Sequence, residues 1–172
     1  MTLVFEETKN SELLTPLAAV AVCEVLSSAG ASPRIKWVND IFINGKKVCG
    51  ILTERIIFNG KSYIALGIGI NISTKQFPDE LTNAGNVDID CKKEYLADAI
   101  SEKILDYYQN DFDIISKYRE MLFVLGEEIY YQKNNIGYKG YAVDINENCN
   151  LIIKLPDGNY DTLFSGEISI KI

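Results

Sequence analysis

Residues 36–72 read KWVNDIFINGKKVCGILTERIIFNGKSYIALGIGINI, and this stretch decides the fold. Two Asn-Gly pairs, Asn44-Gly45 and Asn59-Gly60, divide it into three runs rich in β-branched and aromatic residues. Asn-Gly tolerates the positive φ angles of a two-residue hairpin loop, so each pair marks a reversal between antiparallel strands. Ile41–Ile43, Val48–Ile57 and Ser62–Ile72 are therefore expected to form a three-stranded antiparallel meander. The last run is nearly all apolar and is expected to be central and covered on both faces. Arg34–Val38 forms a short strand before it, ending at Asn39-Asp40.

Working outward, Thr2–Glu6 reads as a strand and Glu7–Leu14 as a polar loop. Thr15-Pro16 has the pattern of a helix start, with Thr15 as cap and Pro16 in the first helical position. The helix runs to a stop at Gly30, and between Pro16 and Ala29 its only charge is Glu24. Such a helix is buried nearly all round. On the other side, Ser73–Cys91 is polar and irregular. Helical spacing resumes over Lys92–Tyr108, with Tyr95, Leu96, Ala99, Ile100, Ile104 and Tyr107 on one face. A second helix over Asp111–Leu122 turns Phe112, Ile115, Tyr118 and Leu122 inward. Near Gly126 the pattern changes to short strands, Glu128–Gln132, Lys139–Ile145, Leu151–Lys154, Tyr160–Phe164 and Ile168–Ile172. Asn134-Asn135, Asn146–Asn150 and Pro156-Asp157-Gly158 separate them, which suggests a small barrel. The fold class is α+β, a mixed or antiparallel sheet packed by helices, with residues 1–124 as one domain and 125–172 as a second.

Composition limits the chemistry. The chain has 172 residues, 47% of them hydrophobic, and carries 17 Lys+Arg against 24 Asp+Glu. The resulting charge of −7 opposes non-specific nucleic-acid binding, which needs surplus cations. There is no histidine, so histidine-based triads, zinc proteases and pH switches are excluded. Cys23, Cys49, Cys91 and Cys149 are scattered without a C-x-x-C pair. They read as free thiols of a reducing cytoplasm. The acidic start MTLVFEETKN lacks a secretory pattern, and no apolar run is read as a membrane span.

Three clusters of the meander can carry chemistry. Lys36-Trp37-Val38-Asn39-Asp40 sets a cation, an amide and a carboxylate at a strand end, and Asp40 is a candidate Mg²⁺ ligand. The same residues also fit an ordinary Asn-Asp turn with a packed Trp. In Lys46-Lys47-Val48-Cys49-Gly50-Ile51-Leu52, strict alternation puts Lys47, Cys49 and Ile51 on one face and Lys46, Val48, Gly50 and Leu52 on the other. Gly50 allows close approach of a ligand or of another backbone. The bland alternative is a solvated hairpin with two edge lysines. In Gly67-Ile68-Gly69-Ile70-Asn71, two glycines two apart bare one face for a flat ligand or for a closely packed helix. This is not a dinucleotide-binding glycine motif, since the third glycine is missing.

Taken in order, KWVND, GKKVCGILTE and GIGIN resemble the signature blocks of biotin–protein ligases, and LLTPLAAVAV and GEISIKI resemble that family as well. The resemblance spans essentially the whole chain. It implies a biotin/lipoate ligase-like, class II synthetase-like catalytic fold followed by an SH3-like β-barrel. It implies biotin and ATP as substrates with Mg²⁺, and a biotin carboxyl carrier domain of a carboxylase as acceptor. Biotinyl-AMP would form first, and a carrier lysine would then take the biotin. Lys47 matches the family's catalytic lysine beside the biotin carboxylate and α-phosphate. Gly50, Ile51, Leu52, Gly67 and Gly69 match the biotin pocket. Lys36, Trp37, Asn39, Asp40 and Asn71 match the ATP side, with Asp40 toward the metal. Glu167 and Lys171 match residues reaching the nucleotide from the C-terminal region.

The family's Gly/Arg-rich loop has no counterpart, because Arg34, Arg55 and Arg119 are the only arginines and none lies in a Gly-rich loop. No helix-turn-helix precedes the catalytic region, so DNA binding is not expected. The chain reads as the C-terminal portion of a ligase, lacking roughly the first third of its catalytic domain. That reading implies an exposed hydrophobic groove and unpaired strand edges, with self-association or pairing with a missing N-terminal segment as consequences. A non-catalytic biotin or biotinyl-AMP binding or scaffold module, and an inactive truncated ligase, are the alternative functions.

Overall fold

The computed structural model describes residues 1–8, 11–110, 112–133, 136–166 and 168–170. Both Asn-Gly pairs form the expected reversals, with φ of 50° at Asn44 and Asn59 and 74° at Gly45 and Gly60. They join β3 (Asp40–Ile43), β4 (Lys46–Phe58) and β5 (Lys61–Ile70). β1 (Thr2–Glu6) and β2 (Arg34–Lys36) extend this meander to five strands in the order β1-β5-β4-β3-β2. Every pairing in it is antiparallel.

β5 is interior by pairing but is covered on one face only. Ile64, Leu66 and Ile68 point into the core, while Gly67 and Gly69 lie on the opposite, open face. The expectation of cover on both faces is corrected here, because glycine removes the side chains that a second layer would need. Val4, Leu52, Ile56 and Phe58 are exposed on that face. β1 is an end strand with β5 as its one neighbour among the described residues. An open apolar face and an open edge are thus both present.

α1 (Leu14–Ser28) covers the closed face, with Ala18 through Val22 fully buried. Thr15 does not cap it. A single 3-10 turn, Ser11–Leu13, leads straight into the helix, and the Thr15 hydroxyl is 2.8 Å from that of Thr53 on β4. The helix ends in a Schellman arrangement, with Gly30 at φ 91° and the Ala31 N–H donating to the Leu26 carbonyl. The stretch Ser11–Ser28 is long and apolar enough to cross a membrane, contrary to the sequence reading. Its burial is what the core of this fold requires: 61% of it lies inside the protein, against the sheet and the next two helices.

α2 (Lys93–Gln109) and α3 (Ile114–Met121) form the outer layer. Leu96, Ile100, Ile104 and Tyr107 turn inward as expected, but Tyr95 is 70% exposed because it sits at the margin of the apolar stripe. α3 is shorter than its pattern, since Asp113 caps it by accepting from the Ser116 N–H. α2 is tied to α1 by Glu24, whose carboxylate accepts from Lys103 at 3.0 Å and from the Tyr107 hydroxyl.

The second sheet comprises β6 (Glu128–Lys133), β7 (Ile136–Ile145), β8 (Leu151–Lys154), β9 (Tyr160–Leu163) and β10 (Ile168–Ile170), in the order β10-β6-β7-β8-β9. Its described end strands, β9 and β10, do not pair, so it is an open sheet where a closed barrel was expected. The turn read at Asn134-Asn135 lies outside the described residues. The Asn146–Asn150 turn is present, and one side-chain oxygen of Asn146 accepts from the N–H groups of Asn148 and Asn150 at 3.0 Å each.

Candidate functional site

A register shift decides the site. Asp40 pairs with Gly50 and Ile41 with Cys49, but Phe42 pairs with Lys47, so β4 has one extra residue, Val48. Such a bulge breaks strict alternation. Val48 and Cys49 are both buried, and Lys47 moves to the face of Gly50. This corrects the sequence expectation that Lys47 shares a face with Cys49 and Ile51. The result is chemically apt, because the ammonium now lies over bare backbone. A Cβ built on Gly50 would lie 3.5 Å from Lys47 Cε and 3.8 Å from Asp40 Oδ1.

Around this point lies an open cleft of 410 Å³. Lys36, Asp40, Lys47, Gly50, Gly69 and Asn71 line it, six of the residues singled out from the sequence. Lys47 Nζ makes an ion pair of 2.6 Å with Asp40 Oδ1, and the two side chains are 44% and 20% exposed. Gly50 faces Gly69 across the ladder, and Leu52 faces Gly67. Continuing the same face away from Lys47, these four residues make a smooth strip ending in an exposed leucine. A cation at one end and glycine backbone along the floor suit a flat molecule bearing a carboxylate or phosphate.

The opposite wall is the stretch 77–84, within the part of the chain expected to be polar and irregular. Phe77, Glu80 and Leu81 line the cleft, and so do residues 82–84. Backbone bonds hold this wall against the start of β4: Lys47 N–H donates to the Asn83 carbonyl at 2.7 Å, and Gly85 N–H to the Lys47 carbonyl at 2.9 Å. The apolar Phe77 and Leu81 within a polar stretch were the available signal. Phe42 was missed too, although it stands two residues after Asp40 on the same strand face and pairs with Lys47. A larger hollow of 740 Å³ lies between the start of α1 and α3, but no cation lines it among the described residues.

Other sequence candidates have different places. Trp37 is 2% exposed, and its indole N–H donates to the Cys149 carbonyl at 2.9 Å. Its side chain is not among those lining the cleft. Asn39 Nδ2 donates to the Ile51 carbonyl at 2.6 Å, so this amide ties strand to strand. Ile51 is buried on the core face. Asn71 remains at the cleft, with Nδ2 3.5 Å from the Lys47 carbonyl. Glu167 and Lys171 lie outside the described residues. Burial pushes the Cys49 thiol up to about 12, so it lines the cleft as a neutral group.

Mg²⁺ takes one or two carboxylates together with substrate phosphates. Asp40 and Glu80 both line the cleft, and no group of three or more acidic, Cys or His residues suited to a metal exists among the described residues. The donors present fit an ion brought by a phosphate-bearing substrate, with Asp40 then shared between that ion and Lys47.

Comparison with known proteins bears on the sheet that carries this cleft. Residues 1–71, which contain β1 to β5, match the Biotin/lipoate A/B protein ligase family. That stretch is what this chain shares with the family. Across 72 residues it is 50% identical to the bifunctional ligase/repressor BirA of Bacillus spizizenii, covering 40% of this chain and 22% of that relative. It is 28% identical over 210 residues to biotin–protein ligase 2 of Arabidopsis thaliana, covering 99% of this chain and 61% of the relative. The chain therefore spans less than two thirds of these curated relatives. In fold it resembles the biotin protein ligase of Aquifex aeolicus in complex with biotin and ATP. That likeness has a TM-score of 0.77 at 22% identity and covers 99% of this chain and 76% of the other. The likeness in fold thus extends through the second sheet, beyond the residues of the family match.

Proposed function

We propose that this chain carries the biotin-adenylating and biotin-transferring site of a biotin–protein ligase. One observation carries the proposal: the β4 bulge turns Lys47 onto the glycine face, beside Asp40, in the cleft of a ligase-family sheet. Biotin lies along Gly50, Leu52, Gly67 and Gly69 with its carboxylate toward Lys47. A carboxylate oxygen attacks the α-phosphorus of ATP, forming a C–O–P linkage while the bond to pyrophosphate breaks. The Lys47 ammonium stabilises negative charge on the carboxylate and phosphoryl oxygens as it redistributes. A carrier lysine, as free amine, then attacks the acyl carbon, giving an amide and AMP and losing its proton. Lys47 again faces the developing oxyanion.

Lys36 and Asn71 stand on the nucleotide side, with Asp40 arranging Lys47. Asp40 would hold the Mg²⁺ that accompanies ATP, which would screen phosphate charge. The acceptor is the biotin carrier domain of a carboxylase. The second sheet is read as the SH3-like domain, 125–172, and the 2.9 Å pair of Lys133 on β6 with Asp161 on β9 supports strong curling. Four free cysteines fit a reducing cytoplasm.

The test is calorimetry of the 172-residue chain with biotin, then with ATP and Mg²⁺, followed by pyrophosphate release. Binding of both and release of pyrophosphate are the expected results. Binding of neither substrate would overturn the assignment for this chain.

A further inference from the structure

We propose that the Asn146–Asn150 turn of the second sheet is a positioning element for the cleft of the first, acting through Trp37 on the link between Lys36 and Asp40. The proposal rests on the functional reading for its consequence, but its structural part stands alone.

Lys36 and Asp40 both line the cleft, and they face each other as the last cross-strand pair of β2 and β3. Between them lie Trp37, Val38 and Asn39. None of these three lines the cleft; each is fixed by a different element. Trp37 Nε1 donates to the Cys149 carbonyl at 2.9 Å. The Val38 carbonyl accepts from the Tyr118 hydroxyl of α3 at 2.6 Å. Asn39 is bonded twice to Ile51 of β4: its side chain donates at 2.6 Å, and its carbonyl accepts from the Ile51 N–H at 3.0 Å.

The Cys149 end is equally determined. Cys149 has φ 58°, is 3% exposed, and donates its N–H to the Asn146 carbonyl at 3.0 Å. The Asn146 side chain closes the turn through two further N–H groups. Arg119, next to Tyr118 on α3, holds the strand entering that turn, with Nε 2.7 Å from Asp144 Oδ1 and Nη2 3.3 Å from the Ile145 carbonyl. Thus α3, the turn and the link form a closed triangle. A buried indole N–H needs an acceptor, and here the acceptor is the carbonyl of a left-handed residue in the second sheet, which ties the link to that turn. Losing the indole N–H would leave a buried carbonyl without that donor and free one corner of the link. Lys36 and Asp40 would then lose their fixed separation, while the Gly50–Leu52–Gly67–Gly69 strip, held by the β4–β5 ladder, would not.

The experiment compares wild type with Trp37→Phe, which keeps a ring and removes the donor, and with Asn146→Ala, which loosens the turn without touching the first sheet. Amide hydrogen exchange is read on the unliganded chain, and calorimetry reads ATP with Mg²⁺ and biotin separately. Both variants are expected to speed exchange about tenfold in residues 38–42 and at Ile51, with β1 and β5 unchanged. Affinity for ATP should fall about tenfold and that for biotin by less than about twofold. Unchanged exchange in the link, or an even rise across both sheets, would overturn the proposal, because the tryptophan would then be packing alone. If wild type binds neither substrate, the functional reading fails while the exchange pattern still decides the positioning role.

Discussion

Lys47 Nζ lies 2.6 Å from Asp40 Oδ1, and both stand on the face of Gly50 although they come from adjacent strands. The bulge at Val48 makes this possible. Without the extra residue Lys47 would enter the core beside Cys49, where an ammonium could not stay charged without a partner. The ion pair gives the free site a lysine already aimed along the glycine strip. An arriving carboxylate or phosphate has only to share that cation.

Replacing Lys47 with Ala removes the ammonium at the end of the strip. Adenylate formation should slow by roughly 30- to 1000-fold, the scale of one lost electrostatic donor. The melting temperature should hardly move, since a half-exposed pair contributes about 0–1 kcal/mol. Pyrophosphate release and thermal melts read the two effects separately.

In Asp40→Asn the lysine keeps its charge and loses its guide. Stability should again change by about 1 kcal/mol or less. The adenylation rate should drop about 100-fold through misplacement of Lys47. An unchanged rate in single-turnover kinetics would show that Lys47 needs no orienting partner.

Gly69→Ala adds a methyl to the open floor. The new Cβ would lie 3.9 Å from the Gly50 carbonyl, an ordinary contact, so the fold tolerates it. Biotin affinity should fall about tenfold or more, because the methyl occupies the ligand's side of the strip. Gly140→Ala is the contrasting case. There the Cβ would meet the Ile153 side chain and lie 2.9 Å from the Lys154 carbonyl, so the second sheet should lose about 1–3 kcal/mol. Urea unfolding of both variants distinguishes floor from packing.

Acid should loosen the helical layer at one identified joint. Burial raises the Glu24 carboxyl, but the bonds from Tyr107 and Lys103 outweigh it and hold its pKa below the usual 4.5. A depressed carboxylate contributes stability above its unfolded value, and that contribution is lost as pH falls through the folded one. Lys103 is held above its usual 10.5: burial lowers it, and the bonds to Glu24 and Tyr107 win. Its contribution is complete below 10.5 and is lost as pH rises through the raised value. Glu24→Gln should flatten the acid limb of a stability-versus-pH curve, and denaturant titrations from pH 3 to 7 measure it.

The sequence made the meander legible because Asn44-Gly45 and Asn59-Gly60 state their turn geometry locally. α1 was legible because one charge in a long apolar run leaves it no solvated face. Lys36, Asp40, Lys47, Gly50, Gly69 and Asn71 were recoverable as cleft residues because motif and strand position agree. The bulge was not, since Val48 looks like any strand residue and its displacement depends on the partner strand. The bond of Trp37 to the second sheet was not legible either, since its partner is 112 positions away. The cleft wall at Phe77 to Ala84 was hidden because irregular backbone carries no periodicity, and its contacts with Lys46 and Lys47 are long-range.

The most direct test of the central claim is a crystal structure of the chain with a non-hydrolysable biotinyl-adenylate analogue. The biotin ring system should lie over Gly67 and Gly69, with the acyl oxygen at about hydrogen-bonding distance from Lys47 Nζ. An analogue bound elsewhere, with Lys47 still paired only to Asp40, would contradict it.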